Sequence, residues 1–216
     1  MVQRLTVLVL AAYLILSLYR LGDVPTPWYD EIVHLNTAWH VATEGHTWCD
    51  FYTDKFQHNR MFNSMLLHWL MLGLWVKAFG CSMFAARLFH VVLSTFTLYF
   101  LYLLAGRLFN KKIGLYSAVF CAFSFLFFHN SRQIMPQVPA ACFSVFSFLL
   151  FDIAKEKRRH IFFIATGVCA ALAYLSHPVG LGTFFILIAL FLLFNIPVRS
   201  LFAYLAGFVV MMLPYL

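Results

Sequence analysis

The feature that most constrains this chain is a succession of apolar segments, each long enough to cross or nearly cross about 30 Å of hydrocarbon. Charged residues make up 11% of the chain, whereas soluble domains average about 25%. Eight segments qualify, namely residues 5–19, 62–79, 83–104, 113–128, 138–153, 161–175, 181–194 and 201–216. The sequence therefore predicts an all-α polytopic membrane protein, built as a single transmembrane domain over residues 1–216.

The distribution of basic residues decides how the chain threads. If all eight segments crossed from a cytoplasmic N-terminus, the dense Lys and Arg clusters would face outside, against the positive-inside bias. The segment at residues 62–79 carries Asn63, His68 and Lys77, which a spanning helix centre resists. Its apolar face, with Trp69 and Leu72, suits a helix lying along the interface. We therefore predict about seven spans, with this juxtamembrane helix inside an outer loop of residues 22–82.

This threading has consequences for location and for partners. Nine Lys and Arg residues then face the cytoplasm and six face outside, and the polar residues gather on the outer or lumenal face. We expect a multi-pass protein of a bacterial or archaeal plasma membrane, or of the endoplasmic reticulum. The net charge of +7 comes from short clusters that face anionic lipid, and no basic arm indicates nucleic-acid binding. Spans almost free of charge argue against a transporter.

The long polar interval at residues 26–60 carries the candidate chemistry. Six of the eight acidic residues lie between Asp23 and Asp54. Asp30 and Glu31 adjoin, so on a helix they point about 100° apart, and one can face a reaction while the other faces a supporting cation. One interpretation makes the doublet catalytic, with a general base. The other makes Asp30 the cap of a helix that ends near Gly45.

Cationic side chains of the outer face could bind a phosphate. Arg60, Lys55 and Arg132 are the candidates, since a guanidinium grips phosphate with two donors. The alternative is that they snorkel toward lipid headgroups. Arg87 is expected to anchor the entry of its span. His177, just before a proline, either ends a helix or lines a pocket.

Histidines and cysteines leave two further possibilities open. His40 and Glu44 are one helical turn apart and His46 follows, but the chain lacks tight metal-ligand spacing. We expect no metal or other cofactor, a divalent metal being the less favoured alternative. Cys49 and Cys81 flank the polar region and could pair in an oxidising compartment.

Five short strings carry a resemblance to a known family. They are Trp28-Tyr29-Asp30-Glu31, Ala42-Thr43-Glu44-Gly45, residues 79–88 (FGCSMFAARL), Ala105-Gly106-Arg107-Leu108-Phe109 and Ser131-Arg132-Gln133-Ile134-Met135-Pro136. In this order the chain resembles the N-terminal half of the GT-C glycosyltransferases related to protein O-mannosyltransferases and bacterial aminoarabinose transferases. Members of that family are longer, so we expect this chain to be the N-terminal part of a larger GT-C module.

The resemblance implies a glycosyltransferase that moves a sugar from a polyprenyl-phosphate carrier to an acceptor hydroxyl, with inversion, on the outer or lumenal face. It implies that Asp30 is the catalytic carboxylate with Glu31 beside it. The expected substrate contacts are Arg60, Lys55, Arg132, Glu44, His58 and His177. The alternative is a non-catalytic membrane subunit, or a lipid-phosphate-binding protein that keeps the fold. A second polypeptide that completes the site is a further possible partner.

Two positions depart from the family pattern. Met61 and Phe62 follow Arg60 where the family often has two prolines, and Gln137 stands where it often has an acidic residue. The second departure weakens any metal or second acid–base role at that turn.

Overall fold

A computed structural model describes residues 1–47, 49–50 and 65–215, and the regular structure in these ranges is helical. The elements in chain order are α1 (Val2–Leu18), α2 (Tyr29–Glu44), α3 (Leu66–Phe79), α4 (Met83–Leu108), α5 (Lys111–Ala122), α6 (Phe125–Ser131), α7 (Gln137–Lys157), α8 (His160–Ser176), α9 (Leu181–Leu193) and α10 (Val198–Met212). Short 3₁₀ turns at Pro178–Gly180 and Leu213–Tyr215 flank the last two helices. The predicted all-α class is confirmed.

The number of spans is not settled by helix length. Within the described ranges, α4 and α7 are each long and apolar enough to cross a membrane alone, and the bent pair α5–α6 makes a third. The other apolar helices, α1, α3, α8, α10 and the unit Pro178–Leu193, are shorter. The apolar helices agree with the predicted membrane protein, and the count of seven spans stays a prediction.

One predicted span is broken. The sequence indicated a continuous segment over residues 113–128, but α5 ends at Ala122 and α6 begins at Phe125, with a bend of 67° between them. The reason is local, because the Ser124 hydroxyl accepts a hydrogen bond from the Phe127 N–H and so caps a new helix. Serine competes for backbone donors in this way.

Glycines let the C-terminal helices approach closely. A Cβ on Gly167 of α8 would lie 2.0 Å from the Tyr204 carbonyl oxygen of α10, and one on Gly207 would lie 2.1 Å from the Ile164 carbonyl oxygen. Small residues at a contact let two helix backbones approach closely. In lipid such packing is a main source of helix association, because the lipid tails are as apolar as the side chains and supply no hydrophobic driving force. Phe151, together with aromatic and aliphatic side chains of α8–α10, fills the space beside this contact.

Helix α3, which was predicted to lie along the membrane interface, packs differently from the expectation. Trp69 and Leu72 were predicted to face the interface, yet they are 1% and 0% exposed and pack against α2 and α4. Gly73 permits the contact, since a Cβ there would lie 2.2 Å from the Ala38 carbonyl oxygen of α2. Lys77 remains exposed and donates to the Ala42 carbonyl oxygen of α2 at 3.0 Å. The apolar face of α3 therefore joins it to α2 and α4.

Candidate functional site

The carboxylate of Glu31 is the centre of a buried hydrogen-bond network. Glu31 and Arg87 are both fully buried, and Arg87 donates to Glu31 with two nitrogens, Nε to Oε1 at 2.9 Å and Nη2 to Oε2 at 2.7 Å. The backbone N–H groups of Trp28 and Ile134 donate to the same carboxylate at 3.0 and 2.9 Å. Arg87 Nη1 donates to the Leu21 carbonyl oxygen at 3.0 Å. Glu31 and Arg87 together thus link four segments of the chain.

Glu31 is held as a carboxylate by these donors. Burial by itself raises the pKa of Glu31, but the hydrogen bonds from Arg87, Trp28 and Ile134 outweigh it and lower the pKa. All four N–H groups donate to the two oxygens of this one carboxylate. Glu31 therefore has little remaining ability to accept a proton from a substrate. It acts as a positioning residue for the first turn of α2.

Asp30 is exposed, in contrast to the buried Glu31 beside it. Helix α2 begins at Tyr29, so Asp30 lies in its first turn but is not its cap, and the N-cap residue is Trp28. The interpretation of Asp30 as a helix cap is therefore wrong, and it is Glu31 that accepts the Trp28 N–H. Asp30 is exposed, and no hydrogen bond or ion pair from the described residues holds its carboxylate. Of the doublet, Glu31 faces a cation and Asp30 faces outward.

Three buried imidazoles lie behind Asp30. His34 is one turn further along α2, its ring centroid 5.3 Å from that of His68, which is in turn 5.3 Å from that of His90. Trp69 Nε1 donates to His34 Nδ1 at 3.1 Å, which leaves the proton of a neutral His34 on Nε2. Burial lowers the pKa of His34 to about 4, with Asp30 opposing the shift. His34 is therefore a neutral neighbour of Asp30 at neutral pH.

Arg132 holds the loop that follows α1. Its Nη2 donates to the carbonyl oxygens of Tyr19 and Val24, the latter at 2.9 Å, and its guanidinium lies 5.5 Å from the centre of the Phe128 ring. Arg132 is thus anchored within the protein, which differs from snorkelling toward lipid. No carboxylate of the described residues pairs with it, and burial and the neighbouring Arg87 lower its pKa. The site therefore carries an un-neutralised positive charge, and a phosphate-binding role for Arg132 stays a prediction.

His177 ends α8 and lies toward the same region. Its Nδ1 accepts the Val179 N–H at 3.2 Å, so it satisfies a helix terminus, one of the two roles considered for it. Its Nε2 is 3.4 Å from Gln137 Nε2, and it is near enough to His34 to contribute to the lowered pKa of that residue. Gln137 and residues of α4, α6 and α7 line a cavity of about 240 Å³, together with Asn130 and Ser131 beside Arg132.

The remaining predicted contacts divide into two groups. Lys55, His58 and Arg60 lie outside the described residues, and their roles stay predictions. Glu44 lies at the far end of α2 from Asp30, about 20 Å along the helix by its rise per residue, and pairs with His40 and His46. The structure thus brings Asp30, Glu31, Arg132 and His177 to one region and places Glu44 elsewhere.

The structure differs from two expectations, one about Arg87 and one about a pair of cysteines. Arg87 was expected to anchor its span at the interface, but it is fully buried and pairs with Glu31. The only sequence signal was an arginine in the first turns of an apolar segment, where a charge needs a partner. No disulfide joins Cys49 and Cys81, so the possible pairing does not form.

A profile of the family described as dolichyl-phosphate-mannose-protein mannosyltransferase matches residues 63–215. An uncharacterized protein of Aquifex aeolicus (strain VF5) is 28% identical over 190 residues, which is 84% of this chain and 37% of the relative. The chain therefore spans little more than a third of the length of that curated relative. No solved structure matches the chain significantly.

Proposed function

Because the chain belongs to the dolichyl-phosphate-mannose-protein mannosyltransferase family, we propose that it is the donor-side part of a membrane glycosyltransferase with Asp30 as its general base. The observation that carries the proposal is the division of the carboxylate doublet. Glu31 is locked by Arg87 and two backbone donors, while the adjacent Asp30 is exposed and unpaired in the described structure. A base must be free to accept a proton, and its helix turn must be rigid.

The proposed reaction uses a sugar linked to a polyprenyl phosphate. The acceptor hydroxyl gives its proton to Asp30 as its oxygen attacks the anomeric carbon, on the face opposite the phosphate. The bond between that carbon and the phosphate oxygen breaks, and the electron pair leaves with the polyprenyl phosphate. Attack from the opposite face inverts the configuration. Little acid catalysis is needed, because a phosphate is already a good leaving group.

Arg132 is the proposed contact for the leaving phosphate. Its charge lacks a carboxylate partner among the described residues, and Asn130 and Ser131, which precede it in the chain, line the cavity between α4, α6 and α7. A cation fixed by protein carbonyls stabilises charge that develops in the transition state without reorganising. Lys55 and Arg60 are proposed as further phosphate contacts on the outer or lumenal face, with the isoprenoid tail remaining in the bilayer.

The test is sugar transfer from polyprenyl-phosphate donors by the reconstituted protein. Asp30→Asn should lower kcat/KM by about 10²–10⁴-fold, the usual contribution of a general base. Asp23→Asn is the matched control, since Asp23 is also an exposed carboxylate of the same loop. Equal activity of Asp30→Asn and wild type would remove the base assignment. A wild type that binds the donor but transfers nothing would instead support the non-catalytic subunit.

A further inference from the structure

A second cluster of polar side chains lies at the C-terminal end of α2, away from Asp30. His40 Nδ1 is 3.0 Å from Glu44 Oε1, and His46 Nε2 is 2.8 Å from Glu44 Oε2. The candidate ligand atoms of the three residues all lie within 4.8 Å of one another. The two imidazole rings stack with their centroids 5.6 Å apart. Two nitrogen ligands and a carboxylate therefore converge on one point.

The local sequence explains this convergence. His40 and Glu44 are four residues apart on α2 and share one face of the helix. Gly45 then adopts a left-handed conformation, with φ of 75°, and ends the helix. The chain turns back there and brings His46 to the face that His40 and Glu44 already occupy. The three candidate ligand residues are thus positioned by the C-terminal end of α2 rather than by a long loop.

A carboxylate behind His40 sets the orientation of its ring. His40 Nε2 is 3.0 Å from Asp50 Oδ2, and Asn36 holds Asp50 with two hydrogen bonds, Nδ2 to Oδ2 at 2.8 Å and Asp50 N–H to Asn36 Oδ1 at 2.9 Å. Asp50 Oδ2 already accepts the Asn36 Nδ2–H, so this oxygen is an acceptor toward the imidazole as well, and His40 donates to it through Nε2.

This orientation leaves His40 Nδ1, a hydrogen-bond acceptor, facing the Glu44 carboxylate, which is also an acceptor. When a neutral His40 carries its proton on Nε2, the lone pair of Nδ1 points at the Glu44 carboxylate 3.0 Å away. Two such acceptors at that distance require a proton or a metal ion between them. A carboxylate that orients a histidine through its outer nitrogen is the arrangement usual behind a metal ligand.

We propose that His40, Glu44 and His46 form a Zn²⁺ site, with Asp50 and Asn36 as its supporting residues. Two imidazoles and one carboxylate are a ligand set that zinc uses, with a fourth position left to water or another ligand. Ligands at usual zinc distances lie about 3.3 Å apart in a tetrahedron, close to the 3.0 and 2.8 Å found here. Glu44, whose side chain is 47% exposed, leaves the site accessible from solution.

The competing explanation is a proton in place of the metal. Burial lowers the pKa of His40, but its hydrogen bonds to Asp50 and Glu44 outweigh that effect and raise the pKa. A protonated His40 would satisfy the same acceptors without a cation. The two explanations differ in whether the wild-type protein binds zinc through these residues.

The experiment is calorimetric titration of Zn²⁺ into tag-free protein that has been stripped with a chelator. We expect one equivalent to bind, with a loss of at least about 10-fold in affinity for His40→Ala, His46→Ala and Glu44→Gln, and of about 10–100-fold for Asp50→Asn, the usual effect of a supporting residue. His160→Ala is the control, because His160 is exposed and lies at the start of α8. Co²⁺ in place of zinc should give visible tetrahedral absorption in the wild type and in His160→Ala, and this absorption should be lost in His40→Ala and His46→Ala.

Two outcomes would overturn the proposal. One is a wild type that binds no zinc at micromolar concentration, which would assign the cluster to a protonated His40. The other is equal affinity in wild type, Glu44→Gln and His46→Ala. Glu44→Gln preserves the shape of the side chain, so a folded variant is available for the comparison. Zinc binding is measured without sugar transfer, so this result stands apart from the proposed activity.

Discussion

Replacement of Glu31 by glutamine is the sharpest test of how the start of α2 is held in the fold. Each oxygen of Glu31 accepts two hydrogen bonds, Oε1 from Arg87 Nε and the Ile134 N–H, and Oε2 from Arg87 Nη2 and the Trp28 N–H. Glutamine keeps one oxygen and puts an NH₂ group in the other position. Either orientation therefore loses two hydrogen bonds and sets donors against donors.

The magnitude follows from burial. Glu31→Gln leaves Arg87 charged, fully buried and without its carboxylate. Removing one partner of a buried pair costs about 3–5 kcal/mol, and 1 kcal/mol shifts the Tm of a chain of this size by about 2–4 °C. We expect a fall in Tm of roughly 6–20 °C, measured by thermal unfolding of the purified protein in detergent. Asp30→Asn, at an exposed position, should change stability by no more than about 0.5 kcal/mol.

The pH dependence has a definite sign. The pKa of Glu31 is lowered in the folded protein from its ordinary value of 4.5. A lowered carboxyl pKa stabilises the fold above the unfolded value, and that stability is lost as the pH falls through the folded pKa. The wild type should therefore lose stability below about pH 4.5, and the part due to this residue should be absent in Glu31→Gln.

A double variant completes the test. Arg87→Met removes the stranded charge, so Glu31→Gln combined with Arg87→Met should be more stable than the sum of the single changes implies, by about 0.5–3 kcal/mol. Equal Tm values for Glu31→Gln and Asp30→Asn, or strict additivity in the double variant, would refute the assignment of Glu31 as the residue that holds the start of α2.

Two further predictions concern packing and threading. Gly167→Ala should destabilise the protein by about 1–3 kcal/mol, because the new Cβ meets the Tyr204 carbonyl oxygen at 2.0 Å, whereas Gly182→Ala, with nothing within 4 Å of the added Cβ, should be neutral or stabilising in the same thermal unfolding assay. Single cysteines at Lys111 and Lys157 in a cysteine-free background should resist an impermeant thiol reagent added outside cells, because the predicted threading puts both on the cytoplasmic side, and efficient labelling would reverse the orientation.

The sequence predicted the helical class and most helix positions, because these depend on local information. Apolar residues at helical spacing and the shortage of charge identify the apolar helices, and Gly45 marks the end of α2 through its left-handed backbone. The break after α5 was missed, although Ser124 signals it, because the apolar run continues across it. The capping serine was visible in the sequence, but the uninterrupted apolar run favoured one continuous helix.

The candidate site was predictable only in part. The polar interval pointed to Asp30 and Glu31, and the helical angle between them indicated that they face different partners. Nothing within a few residues shows which of the two turns inward. That choice depends on Arg87, 56 residues away, and on the Ile134 N–H, 103 residues away.

Hydropathy and turn chemistry thus determined that this chain forms apolar helices and a polar interval after the first of them. The packing of α2 against α3 and α4 decided that Glu31 is a buried anchor, that Asp30 is free, and that Trp69 faces protein instead of lipid. The physical reason is range: helix formation is governed by neighbours within one or two turns, whereas the partner of a buried charge is supplied by whichever helix the whole fold brings beside it.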